Sequence, residues 1–237
     1  MQKCRKCSNE IDGNYCENCW EPLHLENIDK RYFINEITSI FNLHSGFLYS
    51  LVKLLTLSGE CVKRYISDDR SNFIKPIIFI LFAAMINTLV MGWIPPMVGT
   101  EGPLMSWIIN NQGNAFLALS FIMAFFIKIF FKKNNYNIYE LFVLMCFLCG
   151  TAVIMDTVYT LLFQLLLPIP AGTLAIITNI WLLLVFAYFT WGVASFYDKK
   201  KPVNYIKGFL CTALPMIIIT TVAVIIDFIL KIGRAHV

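Results

Sequence analysis

Four cysteines near the N-terminus have the type and spacing of a metal site. Two residues separate Cys4 from Cys7, two separate Cys16 from Cys19, and eight lie between the pairs. Two thiolates on one tight turn can face a single ion, and two such turns complete a tetrahedron. We therefore expect these cysteines to bind one structural Zn²⁺ within a small zinc ribbon over residues 1–24.

The expected metal site is closed, which indicates a role in structure or recognition. Four protein ligands leave no open coordination position for water or a substrate. Lys3, Arg5 and Lys6 lie where they would lower the thiol pKa values and offset the thiolate charge. Gly13 and Asn14 form a turn signal between the two pairs, which predicts two knuckles joined by a β-hairpin. Rubredoxin-like iron in the same geometry, or a degenerate ribbon without metal, are the alternatives.

The charge of the ribbon indicates what kind of partner it could bind. Its three basic residues are balanced by four acidic ones, so no basic stripe is present. This composition does not favour nucleic-acid binding. A protein partner, or simple stapling of the chain, fits the ribbon better.

The rest of the chain must position this ribbon, and its composition is that of a membrane protein. Of 237 residues, 58% are hydrophobic and 14% are charged, against about 25% charged in an ordinary globular protein. Ten of the nineteen Lys and Arg residues fall within residues 1–75. The composition excludes soluble and disordered classes and predicts an all-α polytopic membrane body over residues 76–231, embedded in a lipid bilayer.

Five apolar segments are candidates to cross a hydrocarbon core of about 30 Å. Lys clusters flank alternate connections, whereas the connections at 95–114 and 168–172 contain no Lys or Arg. The positive-inside rule then places the N-terminus and the Lys clusters in the cytoplasm of a bacterial cell, with the protein in its inner membrane. A reducing cytosol also favours metal-bound cysteines over disulfides. The predicted spans are 76–94, 115–131, 141–167, 173–197 and 208–230.

Residues 25–75 link the ribbon to the first span. Their apolar residues recur at helical spacing, which predicts amphipathic helices near 30–43, 46–57 and 59–66. Ser45 and Ser58 are candidate caps for the second and third of these helices. Basic residues punctuate the stretch, which fits helices in the cytoplasmic membrane interface. A small helical pack against the membrane domain explains the pattern equally well.

The block from residue 41 to residue 76 carries a family resemblance. With the ribbon before it and membrane helices after it, this block resembles the bacterial membrane-protein family catalogued as domain of unknown function 3667. The resemblance implies the same ribbon-plus-helices architecture and no known activity. The motif residues that carry it include Gly46, Phe47, Leu48, Gly59, Tyr65, Arg70 and Pro76.

Few polar side chains fall inside the predicted spans. Asn87, Asp156, Asn179 and Asp227 form the candidate intramembrane polar site, because a charged side chain at mid-membrane costs about 3 kcal/mol on insertion scales and usually faces a partner or water. Asp156 could handle protons or a transported substrate, or could serve helix packing through a hydrogen bond.

Two further sequence features concern the spans. The pentapeptide ending at Asp156 is similar to the one ending at Asp227, which hints that spans two and three repeat as spans four and five. Two residues also separate Cys146 from Cys149, but these cysteines lie on a predicted membrane helix without a second pair. We expect them to be small packing residues.

Two functions compete on these residues. The first is a membrane-anchored scaffold or membrane-sensing protein, whose zinc ribbon and juxtamembrane helices bind a protein partner. The second is a small transporter or lipid-handling protein, acting through Asp156 and Asp227 as a homo-oligomer. No phosphate-binding loop, nucleophile elbow or intramembrane His points to an enzyme.

The last six residues, 232–237, break the apolar pattern of the fifth span. Their codons match the start of a common sequencing adapter. We interpret this segment as a read-through artefact and leave Arg234 and His236 out of all charge arguments.

Overall fold

The structure of the chain is a computed structural model that describes residues 2–3, 10–11, 18, 46–67, 73–93, 111–167 and 169–235. The predicted metal ligands, the predicted helix at 30–43 and Arg70 lie outside these residues. The described part is all-α apart from one pair of short strands. Its elements are β1 (Gln2–Lys3), β2 (Glu10–Ile11), α1 (Phe47–Ser67), α2 (Pro76–Met91), α3 (Gln112–Phe130), α4 (Ile138–Tyr159, continued by a π-helical segment Thr160–Leu166), α5 (Ala171–Tyr197) and α6 (Pro202–Ala235).

The two strands form an antiparallel pair at the N-terminus. In the sequence, Cys4 and Cys7 fall between the two strands, and both lie outside the described residues. The hairpin turn predicted at Gly13 and Asn14 also lies outside the described residues.

Four of the described helices are long and apolar enough to cross a membrane: 113–130, 138–166, 172–197 and 202–227. They confirm the prediction of a helical protein with the composition of a multi-pass membrane protein. The segment predicted as the first span is shorter than expected. Helix α2 has 16 residues, about 24 Å of helix, and the chain turns at Gly92 and Trp93.

Two helix starts differ from the sequence prediction for local reasons. Helix α4 begins at Ile138, three residues early, because Asn137 and Glu140 form a capping box. The Glu140 backbone N–H donates to the Asn137 side chain at 2.9 Å, and the Asn137 N–H donates to the Glu140 carboxylate at 2.7 Å. Helix α6 begins at Pro202, not at residue 208, because proline suits the first helical turn.

Helix α4 is the centre of the bundle. It packs against α1, α2, α3 and α5, and residues 144–153 are all buried. A helix that is apolar all round can be enclosed on every side. Cys146 and Cys149 are buried in the core, as expected for packing residues. Gly150 admits the ring of Phe79 from α2, since a β-carbon at Gly150 would lie 2.7 Å from that ring.

Helix α1 is broken at Ser58, where φ is 37° and ψ is −118°. The sequence prediction of two helices meeting at this residue is therefore confirmed. The prediction that Ser58 caps the second of them is wrong, because its buried hydroxyl has no hydrogen-bond partner among the described residues. Helix α1 packs on α4 and α5, which favours the helical pack among the two alternatives for this segment.

Candidate functional site

The break in α1 lies against α5 at a pair of glycines. A β-carbon at Gly59 would overlap the carbonyl oxygen of Gly192 and lie 2.8 Å from Ser195 Oγ. A β-carbon at Gly192 would lie 2.8 Å from Ser58 Oγ and 2.6 Å from a methyl group of Leu148. Glycine at both positions lets the two backbones approach as in the small-residue crossings of membrane helices.

Polar groups exposed by the break are satisfied across this crossing. The Gly59 N–H donates to Ser195 Oγ at 3.2 Å, and that hydroxyl donates to the Gly192 carbonyl, also at 3.2 Å. Ser195 is buried and so compensates a backbone donor that the break would otherwise leave unpaired. Ser58 Oγ and the Tyr188 hydroxyl are buried nearby, and neither has a well-aligned partner among the described residues.

An ion pair lies beside the crossing, at its solvent-exposed edge. Glu60 follows Gly59 on α1, and its carboxylate lies 2.6 Å from the ammonium of Lys199, in the turn between α5 and α6. The hydrogen bond and the charge of Glu60 raise the pKa of Lys199 above its ordinary value. Backbone contact and a buried hydrogen bond therefore join α1 to α5, and an exposed ion pair joins α1 to the turn that follows α5.

Two small residues, Gly46 and Ser50, hold the start of α1 in place. Gly46 has φ of 92°, a conformation that favours glycine, and bridges to Phe73 in a parallel β-bridge. Ser50 is buried and joins the same segments, since its hydroxyl donates to the Gly46 carbonyl at 2.7 Å and accepts from the Ile74 N–H at 3.1 Å. Residues 46–50 and 73–74 therefore close on each other.

Aromatic side chains complete this end of α1. The Phe47 ring lies 5.0 Å from that of Phe79, between centroids, and Tyr65 contacts both Phe73 and Phe147 at 5.9 and 5.2 Å. Leu48 is partly buried against the same core, and Pro76 is the first residue of α2. Phe47, Leu48 and Tyr65 thus contribute to packing α1 on the bundle, and Pro76 begins the next helix.

The candidate intramembrane polar residues have separate partners. Asn87 is buried on α2 and donates to Thr157 of α4 at 2.9 Å. Trp181 of α5 donates to the carboxylate of Asp156 at 3.2 Å. Asn179 is exposed and donates to a carbonyl of its own helix at 3.0 Å. Asp227 lies on α6 at the end of the fourth candidate span.

Asp156 lies beside a small, partly open cavity between the helices. The cavity has a volume of about 160 Å³ and is lined by residues of α3, α4, α5 and α6. One turn beyond Asp156, Tyr159 stacks on Trp181 at 5.0 Å and shares a 2.6 Å hydrogen bond with Thr178. The side chains around the cavity include Phe116, Cys149, Asp156, Trp181, Val185 and Met216.

The two related pentapeptides lie in different surroundings. Residues 152–153 before Asp156 are buried, whereas 224–226 before Asp227 are exposed on α6. The sequence similarity therefore does not extend to the packing of these segments.

The sequence analysis did not predict several residues that make the contacts described above. Gly192 and Ser195 are small residues about one turn apart on a membrane helix, and small residues are enriched where such helices cross closely. That signal was available in the sequence, but it does not indicate α1 as the partner. Trp181 and Thr157 carry no sequence signal that pairs them with Asp156 and Asn87.

The described residues contain no group of three or more His, Cys, Asp or Glu side chains that could hold a metal ion. No protein-family profile, curated protein or solved structure matches this chain.

Proposed function

We propose that the chain is a membrane-anchored binding protein that presents a cytoplasmic zinc ribbon at the bilayer surface. The observation that carries this proposal is the packing of α1 on α4 and α5. The chain that precedes Gly46 is joined to the membrane body through a helix with a close glycine contact and an ion pair. A partner bound by the ribbon would therefore be tethered to the bundle.

The proposed topology has five spans, with residues 1–75 in the cytoplasm. Helix α2 would be the first of these spans. Because it is short, the bilayer around it would thin locally, at a modest cost in free energy. The four thiolates of Cys4, Cys7, Cys16 and Cys19 are a complete donor set for Zn²⁺, which would staple the ribbon.

We also propose that the chain is a divergent member of the family catalogued as domain of unknown function 3667. The contacts of Gly46, Phe47, Gly59 and Tyr65, and the position of Pro76 at the start of α2, support this assignment. A motif shared with that family would correspond to a shared way of docking α1 on the bundle.

A crosslinking pull-down from native membranes tests the binding function. The full chain is compared with a variant that lacks residues 1–24 and with Cys16→Ser, which removes one metal ligand. We expect the same protein to be captured by the full chain and lost from both variants. Equal capture by all three would refute a ribbon-mediated partner.

The cavity beside Asp156 supports a second candidate function, a small transporter or lipid-handling protein that acts as a homo-oligomer with Asp227. A carboxyl group in a largely apolar cavity is a typical feature of proton or substrate pathways. Proton uptake can be measured in vesicles that contain the reconstituted protein. Uptake that is lost in Asp156→Asn but retained in Asn179→Ala would favour this function over the scaffold.

A further inference from the structure

A polar cleft lies where α1 meets the turn between α3 and α4. Its volume is about 520 Å³, and it opens at one end of the bundle. We call it the junction cleft. The residues around it include Lys63, Lys133, Asn134, Tyr136, Glu140 and Tyr197.

The aromatic rings at the junction cleft form a packed group. Tyr197 stacks on Phe131 at 3.9 Å, and Tyr136 lies 4.7 Å from Phe196 and 5.7 Å from Tyr197. Lys128 donates to the Tyr136 carbonyl at 2.6 Å and so holds the turn in place. The cleft is therefore built on a preorganised turn.

The charge of the cleft favours an anion. Lys63 and Lys133 are exposed, and neither has an ion-pair partner within the described ranges. Among the described residues Glu140 is the one carboxylate at the cleft, and it already accepts the Asn137 N–H in the capping box. Burial and Glu140 raise the pKa of Tyr136, so its phenol stays protonated and can donate a hydrogen bond.

The cleft lies at the level of a bilayer surface if the candidate spans cross a membrane. The third candidate span ends at Tyr197, the first ends at Phe130 and the second begins at Ile138. Tyr and Lys at such span ends commonly contact lipid headgroups.

We infer that the junction cleft binds the phosphate of an anionic glycerophospholipid. Lys63 and Lys133 contact the phosphate oxygens, and Tyr136 lies beneath the headgroup. A lipid is favoured over free phosphate because the cleft opens where three apolar helices begin or end, which is where lipid headgroups lie. The inference rests on the membrane location in the proposed function and not on the zinc ribbon.

The test uses full-length protein in a nonionic detergent, with binding measured by native mass spectrometry. The probes are dioctanoyl phosphatidylglycerol, dioctanoyl phosphatidylcholine and inorganic phosphate. We expect the double variant Lys63→Gln/Lys133→Gln to bind phosphatidylglycerol about thirtyfold more weakly, since each lysine near an anionic lipid surface makes a substantial contribution. The matched control, Lys132→Gln/Lys200→Gln, removes two exposed lysines outside the cleft and should retain the affinity of the unmodified chain.

A second variant works in the opposite direction. Glu140→Gln preserves a capping-box residue while removing the negative charge, and we expect it to bind phosphatidylglycerol several-fold more tightly. This gain keeps the inference testable if the double lysine variant folds poorly.

Three outcomes would overturn the inference. Equal binding of phosphatidylcholine would exclude charge recognition, and tighter binding of inorganic phosphate would assign the cleft to a free anion. Equal losses of phosphatidylglycerol affinity in the double variant and its control would show that general surface charge, and not the cleft, causes the effect. None of these outcomes affects the proposed binding function, because ribbon-dependent capture and membrane insertion are measured separately.

Discussion

Gly59 on α1 and Gly192 on α5 are in backbone contact, so close that a β-carbon at Gly59 would overlap the Gly192 carbonyl oxygen. The break at Ser58 allows this approach, because it frees the Gly59 N–H to donate to Ser195. This crossing is the main joint between the juxtamembrane segment and the apolar bundle.

Substitution at the crossing should destabilise the protein. We expect Gly59→Ala and Gly192→Ala each to lower the free energy of unfolding by about 1–3 kcal/mol, since the added methyl group overpacks a tight contact. Thermal unfolding in detergent measures the effect. Gly172→Ala is the control, because a β-carbon there meets nothing within 4 Å. Three equal melting temperatures would contradict the observed contact.

The hydrogen bond between Asn87 and Thr157 should couple α2 to α4. In a double-mutant cycle with Asn87→Ala and Thr157→Val, we expect a coupling energy of about 0.6–1.7 kcal/mol, as for other interhelical hydrogen bonds in membranes. Asn179→Ala is the matched control, because Asn179 is exposed and bonds only its own helix. Additive effects of the two substitutions would argue against a direct bond.

Metal content should depend on the N-terminal cysteines. We expect about one zinc per purified chain, bound by Cys4, Cys7, Cys16 and Cys19, because these thiolates form a complete tetrahedral set. Elemental analysis should find the metal lost in Cys16→Ser and retained in Cys146→Ala, which alters a buried core cysteine. Full zinc occupancy in the first variant would exclude this ligand set, and iron would favour the rubredoxin-like alternative.

The topology can be read by labelling introduced cysteines in otherwise cysteine-free chains. A membrane-impermeant maleimide added to intact cells should react with a cysteine at Gly99, in the connection without Lys or Arg. A cysteine at Lys200, in the basic turn after α5, should react only after permeabilisation. The reverse pattern would invert the proposed orientation.

The ion pair between Glu60 and Lys199 should stabilise the crossing in a pH-dependent way. Glu60 raises the pKa of Lys199 above 10.5 in the folded state, so the contribution is complete below that pH and is lost as the pH rises through the raised value. We expect the melting-temperature difference between the unmodified chain and Glu60→Gln to be constant to about pH 10 and to shrink above it. The difference should be small and sensitive to salt, because Lys199 is exposed. A difference that persists unchanged at higher pH would assign the effect to packing.

The sequence by itself determined the features that depend on local composition. The lengths of apolar segments predicted five spans, four of which are helices long and apolar enough to cross a membrane in the described part of the chain. Ser58 and Gly59 located the break in α1. The same local signals were insufficient at Asn137, whose capping box starts α4 earlier than the apolar pattern does.

Only the tertiary structure decided which faces of these helices meet. The bond between Gly59 and Ser195 joins residues 136 positions apart, and nothing in the local sequence pairs them. In a soluble protein the polar face of a helix would mark the outside, but α4 and α5 are apolar on all sides. Lipid and protein interior are equally apolar, so the position of α4 at the centre and the pairing of Asp156 with Trp181 follow from packing and hydrogen bonding between helices.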